Sequence, residues 1–266
     1  MMRAIVTGAA SGIGRAVAHR LNADSIAREG RGAQLTLADI AAEPLAAAAA
    51  ALIAEGAEVT TLAADLADPA VSQQIVDLAA HTYGGVDTLI SNAGLLRSGS
   101  LLDLSLEDYE LTFAVNTRPT WLLIRAVRAH LRESQGSVVV TTSIAAHHPI
   151  PAQGAYSASK AALLMMARQL ACELGPEGIR INTVSPGATL TGIGGGVKID
   201  PAVTERGGPE KNRNPLGFIS WPEDQAAAIA FLAGPDARFI TGSDLGVDGG
   251  VRTQLMVKSG HPLPPS

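Results

Sequence analysis

Ser143, Tyr156 and Lys160 have the types and spacing to move a proton. They lie in the run S-I-A-A-H-H-P-I-P-A-Q-G-A-Y-S-A-S-K. Tyr156 and Lys160 open an Ala-, Leu- and Met-rich stretch that reads as helix to about Gly175. Residues four apart on a helix share one face, one turn apart. Ser143 follows an apolar β run, Ser137–Thr142, and so lies past a strand end, where α/β sheets open towards ligand. A hydroxyl, a phenol and an ammonium so placed can exchange a proton with an alcohol or carbonyl oxygen. A Tyr–Lys pair at this spacing can also be a plain stack on a helix surface, and the rest of the chain must decide.

The first positioning element is at the start. Arg3–Thr7 reads as a buried strand, followed by Gly8-Ala9-Ala10-Ser11-Gly12-Ile13-Gly14 and a helical pattern from Arg15. Strand, glycine-rich turn and helix together let backbone approach a pyrophosphate at a helix N-terminus. Gly8, Ser11, Gly12, Ile13 and Gly14 are therefore cofactor candidates. The second strand, Gln34–Ala38, ends in Asp39. A carboxylate there can accept both hydroxyls of an adenosine ribose and would repel a 2′-phosphate. Ile40, Ala41 and Ala42 supply no cation after it, which points to NAD over NADP; Arg15 is the nearby charge that argues otherwise. Asp39 can equally cap the next helix. Gly14 and Asp39 are 25 positions apart, against about 20 for such motifs. The excess falls in polar Asn22–Gly32, read as a surface insertion between helix and strand.

Further on, Ala41–Gly56 reads as helix and Glu58–Ala63 as strand, ending before Asp65 and Leu66. Asp65 can contact an adenine amino group; capping of the following helix through Asp68-Pro69 is the competing local reading. Val71–Tyr83 reads as helix and Val86–Ile90 as strand, before Ser91, Asn92, Ala93 and Gly94, small enough to turn beside a cofactor. Leu104–Leu131 reads as one or two helices containing Asn116, with Pro119 as kink or boundary. Ile179–Val184 is a strand leading to Pro186, Gly187 and Thr189; Glu223–Ala233 is a helix and Asp244–Val247 a last strand. Alternating elements predict a doubly wound, mostly parallel sheet of about seven strands with helices on both faces. The expected organisation is one domain over 1–250 that includes a long Gly/Pro-rich loop at about 188–221, of a length that is usually functional or disordered, and a tail at 251–266.

Composition narrows the classes. The 266 residues are 47% hydrophobic with net charge −5 and no basic block, which predicts neither nucleic acid nor membrane as partner. Cys172 is the single cysteine, so an internal disulfide and a cysteine zinc cluster are excluded. His147 and His148 lack a third ligand at metal spacing, so no metal is expected. The longest apolar run, Leu45–Ala54, is too short to span a bilayer. The chain opens directly into a strand, which leaves no room for a signal peptide, and a cytoplasmic location is expected.

In this combination and order the chain resembles the single-domain short-chain dehydrogenase/reductases, from residue 2 to about 250. The resemblance rests on Thr7-Gly8-Ala9-Ala10-Ser11-Gly12-Ile13-Gly14, Asp65-Leu66, Ser91-Asn92-Ala93-Gly94, Asn116, Ser143, Tyr156-Ser157-Ala158-Ser159-Lys160, Pro186-Gly187 and Thr189. It implies a Rossmann-like fold and a catalytic set of Asn116, Ser143, Tyr156 and Lys160. Tyr156 would exchange the proton, Lys160 would lower the phenol's pKa and bind the nicotinamide ribose, and Ser143 would orient the substrate oxygen. Asn116 would hold a water linking Lys160 to solvent. Asn92 to Gly94 would pass along the cofactor and Thr189 would approach its carboxamide. The resemblance further implies that 1–250 is the catalytic domain, that its loop at about 188–221 serves the substrate with a lid at Thr191–Pro215, and that the chain is a homotetramer in which the 251–266 tail reaches a neighbouring subunit. The departures are Ser91 for the family's usual Asn, Pro119 for a common Gly, and the Asn22–Gly32 stretch.

The expected function is NAD-dependent hydride transfer to or from a secondary alcohol or ketone. The alternatives are an NADPH-dependent reductase of 3-oxoacyl thioesters and an NAD-binding regulator without turnover. Leu95, Ile144, His148, Ile150 and Gln153 are the substrate-facing candidates, with Leu96, Arg97 and His147 beside them.

Overall fold

The computed structural model describes residues 2–191, 193, 201–208 and 214–254. Among them, apolar runs form the strands β1 (Arg3–Thr7), β2 (Gln34–Asp39), β3 (Glu58–Ala63), β4 (Thr88–Ser91), β5 (Ser137–Thr141), β6 (Arg180–Pro186) and β7 (Asp244–Val247). They make one seven-stranded sheet in the order β3-β2-β1-β4-β5-β6-β7. Every neighbouring pair is parallel. The helices are α1 (Gly12–Glu29), α2 (Ala42–Ala54), α3 (Pro69–Tyr83), α4 (Leu106–Asn116), α5 (Arg118–Ser134), α6 (Tyr156–Leu174) and α7 (Pro222–Ala233).

Successive strand residues point to opposite faces, so each strand feeds two cores. Val6 and Leu35 pack with Val17, Leu21, Leu52 and Ile229 of α1, α2 and α7. Ile5, Leu89 and Val138 pack with Ile75, Leu123, Val127 and Leu163 of α3, α5 and α6. The winding direction reverses between β1 and β4, and at such a switch the carboxyl ends of the strands frame a crevice. The expected doubly wound, Rossmann-like domain is thus the observed one.

Some local expectations need correction. Asn22–Gly32 is mostly helix: α1 continues to Glu29 and stops at Gly30, whose φ of 72° is the left-handed conformation glycine adopts readily. Asn22 is 1% and Ser25 2% exposed. Asn22 Nδ2 donates to the Glu55 carbonyl (3.3 Å), and its Oδ1 accepts from Ala33 N (3.0 Å). The Ser25 hydroxyl donates to the Arg31 carbonyl (3.0 Å). Asn22 and Ser25 thus face inward with partners, while Arg28, Glu29 and Arg31 are exposed as their polarity suggests. Pro119 lies in the first turn of α5, where its missing N–H is tolerated, and the helix break falls at Thr117. Val251–Thr253, assigned to the irregular tail, form a 3-10 turn. Of the lid read at Thr191–Pro215, residues 192, 194–200 and 209–213 lie outside the described residues, as do 255–266 of the tail.

Candidate active site

A cleft of about 440 Å³ opens at the carboxyl ends of the central strands. Its walls include Gly8, Ser11, Gly12, Ile13, Asp39, Asn92, Ala93 and Gly94, and further round Ser143, Tyr156, Lys160, Pro186, Gly187 and Thr189. Ala188, Thr191 and Ile193 join from the loop expected at about 188–221, while Thr141 and Thr142 line it without a sequence signal of their own.

The glycine turn is built by close approach. A Cβ on Gly14 would collide with the Gly8 carbonyl oxygen, so α1 can start against the turn only as glycine. No side chain caps the N-terminus of α1, and its first turn has no acidic residue. Its orphan amides and dipole therefore suit an anion from outside the chain. Thr7 ties this turn to the next: its hydroxyl accepts from Asn92 N (3.0 Å) and Ala93 N (3.1 Å). These features fit a dinucleotide pyrophosphate. Asp39 stands beside them, with Oδ2 accepting from Ala10 N and Oδ1 from Ala41 N, both at 3.0 Å. The two amides fix the carboxylate at the mouth while each oxygen keeps lone-pair capacity. Asp65 accepts from Ala67 N (2.8 Å), and Leu66 is buried behind it. The cap of α3 belongs to Asp68, which accepts from Ala70 N.

At the other end, α6 starts with Tyr156, 9% exposed, and carries Lys160, 2% exposed. Lys160 Nζ donates to the Thr141 carbonyl (2.9 Å) and lies 5.7 Å from the centre of the Tyr156 ring. Burial pulls the ammonium's pKa from 10.5 down to about 8. Burial likewise pushes the Tyr156 phenol up, with a hydrogen bond to Ser143 acting the other way. In the protein alone the phenol's net direction is upward, with desolvation outweighing the Ser143 hydrogen bond. Ser143 Oγ also accepts from Ala145 N (3.1 Å), capping the 3-10 turn Ile144–Ala146. Asn116 ends α4 and knits the site together. Its Nδ2 donates to the Leu95 carbonyl and to Ser159 Oγ, each at 3.0 Å, and its Oδ1 accepts from Leu95 N at 2.8 Å. Both amide protons are thereby used, leaving one lone pair on Oδ1. A Cβ on Gly94 would lie 3.3 Å from that oxygen and 3.4 Å from Lys160 Nζ, so glycine keeps the space between them open.

On the far wall, Gly187 N donates to the Val247 carbonyl (2.9 Å), fixing the Pro186-Gly187 turn to β7. The Thr189 hydroxyl meets Ser220 Oγ at 2.9 Å. Leu95 and Ile144 are half-buried, whereas His148 and Ile150 are exposed, and none of these four lines the cleft. Gln153 lies behind it, its backbone bridging to Gly99 and its Oε1 buried without a partner among the described residues. Arg97 is exposed and pairs with Asp108 (3.3 Å). His147 turns away from the cleft to Asp244 (2.8 Å). Among the described residues no cluster of His, Cys, Asp and Glu suits a metal. No described helix is long and apolar enough to cross a membrane.

A parallel sheet with a glycine-walled cleft and a Ser–Tyr–Lys set defines a nicotinamide-dependent oxidoreductase class. Comparison with known proteins agrees. A family model described as enoyl-(acyl carrier protein) reductase matches residues 8–252. D-threitol dehydrogenase of Mycolicibacterium smegmatis is 37% identical over 248 residues, 93% of this chain and 91% of that protein. An L-rhamnose 1-dehydrogenase (NAD(P)(+)) of Sphingomonas is 35% identical over 254 residues, 94% of this chain and 96% of that protein. A solved short-chain dehydrogenase of Burkholderia cenocepacia in complex with NADP superposes with TM-score 0.82 at 38% identity, covering 94% of this chain and 98% of that one. The chain belongs to the short-chain dehydrogenase/reductase family, whose members are oxidoreductases using a nicotinamide cofactor.

Proposed function

We propose that the protein uses NAD to interconvert a secondary alcohol and its ketone, with Tyr156 exchanging the proton. The observation that carries this reading is the buried Tyr156–Lys160 pair, beside Ser143, in the cleft walled by the glycine turn. The nicotinamide, when bound, supplies the hydride acceptor or donor. Tyr156 Oη takes the proton from the alcohol oxygen, and in the reverse direction returns it to the ketone oxygen. Ser143 donates to that oxygen and holds it near the phenol. Lys160, with its pKa at about 8, keeps most of its charge at neutral pH. That charge favours the phenolate once it forms. Asn116 Oδ1 and Lys160 Nζ flank the space beside Gly94, where a water can carry protons outward.

Asp39 supports NAD: a fixed carboxylate accepts ribose hydroxyls and repels a 2′-phosphate. NADP use is the second reading, favoured by the Burkholderia complex and by exposed Arg15 in the first turn of α1. The relatives named for threitol and rhamnose make a small hydroxyl-rich alcohol the first substrate class to try. We also expect a homotetramer. Leu106, Tyr109 and Trp121 on α4 and α5 are 71%, 42% and 41% exposed and line one groove with Phe113 and Met166, an apolar face suited to a second copy. A monomer in light scattering would contradict this.

The test is NAD and NADP reduction over D-threitol, L-rhamnose and simple secondary alcohols. Turnover with NAD favoured about tenfold or more is expected. NADP preference would overturn the cofactor reading. Tight NAD binding without turnover on any member would favour a non-catalytic binder.

A further inference from the structure

Behind the cleft lies a polar cluster that proton transfer and cofactor binding leave unused. Its centre is Asp244, the first residue of β7, with a side chain 4% exposed. Its Oδ1 accepts from Thr183 Oγ1 (2.6 Å) and Ser185 Oγ (2.7 Å). Its Oδ2 is met by Arg252 Nη1 (2.5 Å) and His147 Nε2 (2.8 Å), which are 2.9 Å from each other. His147 Nε2 donates to the carboxylate in one tautomer and accepts from Arg252 Nη1 in the other, so either tautomer ties the ring to the cluster. Burial raises the Asp244 pKa, but hydrogen bonds from Thr183, Ser185 and Arg252 and the Arg252 charge together bring it below the ordinary value. Asp244 is therefore an ionised, buried carboxylate that accepts from Thr183, Ser185 and Arg252 and has His147 against its Oδ2. Arg252 is itself fixed by Asp248, through its Nε (3.2 Å) and its backbone N (3.1 Å).

This cluster reaches the chain on both sides of Ser143. On the near side, the Thr142 hydroxyl shares its proton between the Val184 carbonyl and Ser185 Oγ, each at 2.8 Å, and Ser185 in turn donates to Asp244. On the far side, the 3-10 turn capped by Ser143 ends at His147, whose N–H bonds the Ile144 carbonyl (3.0 Å). The residue before Ser143 and the residue closing its turn are thus both tied to one carboxylate. A lock fastening β7 and the Val251–Thr253 turn to the sheet needs Arg252 and Thr183. It does not need the bond to His147, which lies 97 positions away beside the active-site turn.

We propose that Asp244, with His147 and Arg252, is a positioning residue for Ser143, holding the Ser143–His147 turn so that the hydroxyl stays aimed at Tyr156 and the substrate oxygen. This rests on the reading of Ser143 as the group that orients that oxygen. The His147–Asp244 contact is short, at 2.8 Å, with the carboxylate side buried, and a shift of about 1 Å at an orienting group is enough to cost a large rate factor.

The test is a double-mutant cycle. Asp244→Asn, and the milder His147→Gln, are made in the wild-type and Ser143→Ala proteins. Turnover is read with the fastest alcohol of the panel above at saturating NAD, together with NAD binding and amide exchange of the cofactor-free protein. Asp244→Asn lowers kcat about tenfold in the wild type, and His147→Gln lowers it less. NAD affinity stays within about twofold, and in the Ser143→Ala background both substitutions change kcat less than about twofold. Amide exchange over residues 144–148 quickens about tenfold in either variant, while the α6 core holds its rate. Equal kcat losses in both backgrounds, or unchanged exchange over 144–148 in whichever variant folds, would overturn the proposal and leave the cluster a lock for β7. A silent Ser143→Ala would instead remove the reading of Ser143 and the proposal with it. Should no alcohol of the panel turn over, the exchange result decides.

Discussion

Lys160→Met tests the electrostatics of the cleft without a substrate. Burial draws the Lys160 pKa from 10.5 to about 8. The folded protein then binds fewer protons at this site than the unfolded chain between those two values, so stability rises with pH across that window. At neutral pH the buried ammonium costs about 3 kcal/mol relative to a neutral side chain. Methionine removes that cost with similar volume, but leaves the Thr141 carbonyl without its Nζ partner, a loss of about 1–2 kcal/mol. The cofactor-free variant is therefore about 1–2 kcal/mol more stable than wild type near pH 7. Between about pH 8 and about pH 10 the wild type recovers about 2 kcal/mol, and the advantage disappears. The Tyr156 phenol, with its pKa raised, works in the opposite sense above its ordinary value of 10.0, where the unfolded chain loses the proton first and stability falls. Both proteins contain that tyrosine, so the difference between them isolates the lysine. Urea unfolding of the two proteins, cofactor-free and at matched concentration, reads it directly. A methionine variant less stable near neutrality, or a difference that does not move with pH, would refute the reasoning.

Three other outcomes follow from packing and polarity. Asn22→Ala leaves the Ala33 amide and the Glu55 carbonyl unpaired at a buried site, and lowers stability in urea unfolding by about 2 kcal/mol; no change would return Asn22 to the surface. Gly14→Ala drives a methyl into the Gly8 carbonyl, so NAD binding by titration weakens at least about tenfold; unaltered binding would contradict the close packing of the glycine turn. Asp39→Ala removes the ribose acceptor and narrows the NAD-over-NADP affinity ratio about tenfold, measured by parallel titrations; an unchanged ratio would show that Asp39 does not read the ribose.

The sheet was legible because each strand is a short apolar run between turn-forming residues, as Ser137–Thr141 is before Ser143. The cleft walls were legible because glycines such as Gly8 and Gly12 leave a local signature. Local pattern failed where the deciding partner is distant. Asn22 looks like a loop residue until the Glu55 carbonyl, 33 positions on, takes its amide. Arg252 looks like part of a loose tail until Asp244 and Asp248 fix it. His148 and Ile150 sit between motif residues, but their exposure at the loop surface depends on how the chain turns after Ala146, which local pattern does not carry. Thr142 carries no signal of its own beside Ser143; its place in the cleft wall and its link to Ser185 come from β5 lying beside β6.

Tyr156→Phe, assayed for NAD reduction beside the wild type, tests proton transfer at Tyr156 most directly. The ring keeps its packing at the head of α6, so NAD affinity and thermal stability stay within experimental reach of wild type. Turnover falls by about a thousandfold with the phenolic oxygen gone. Turnover that survives unchanged would contradict the assignment of Tyr156 as the acid/base.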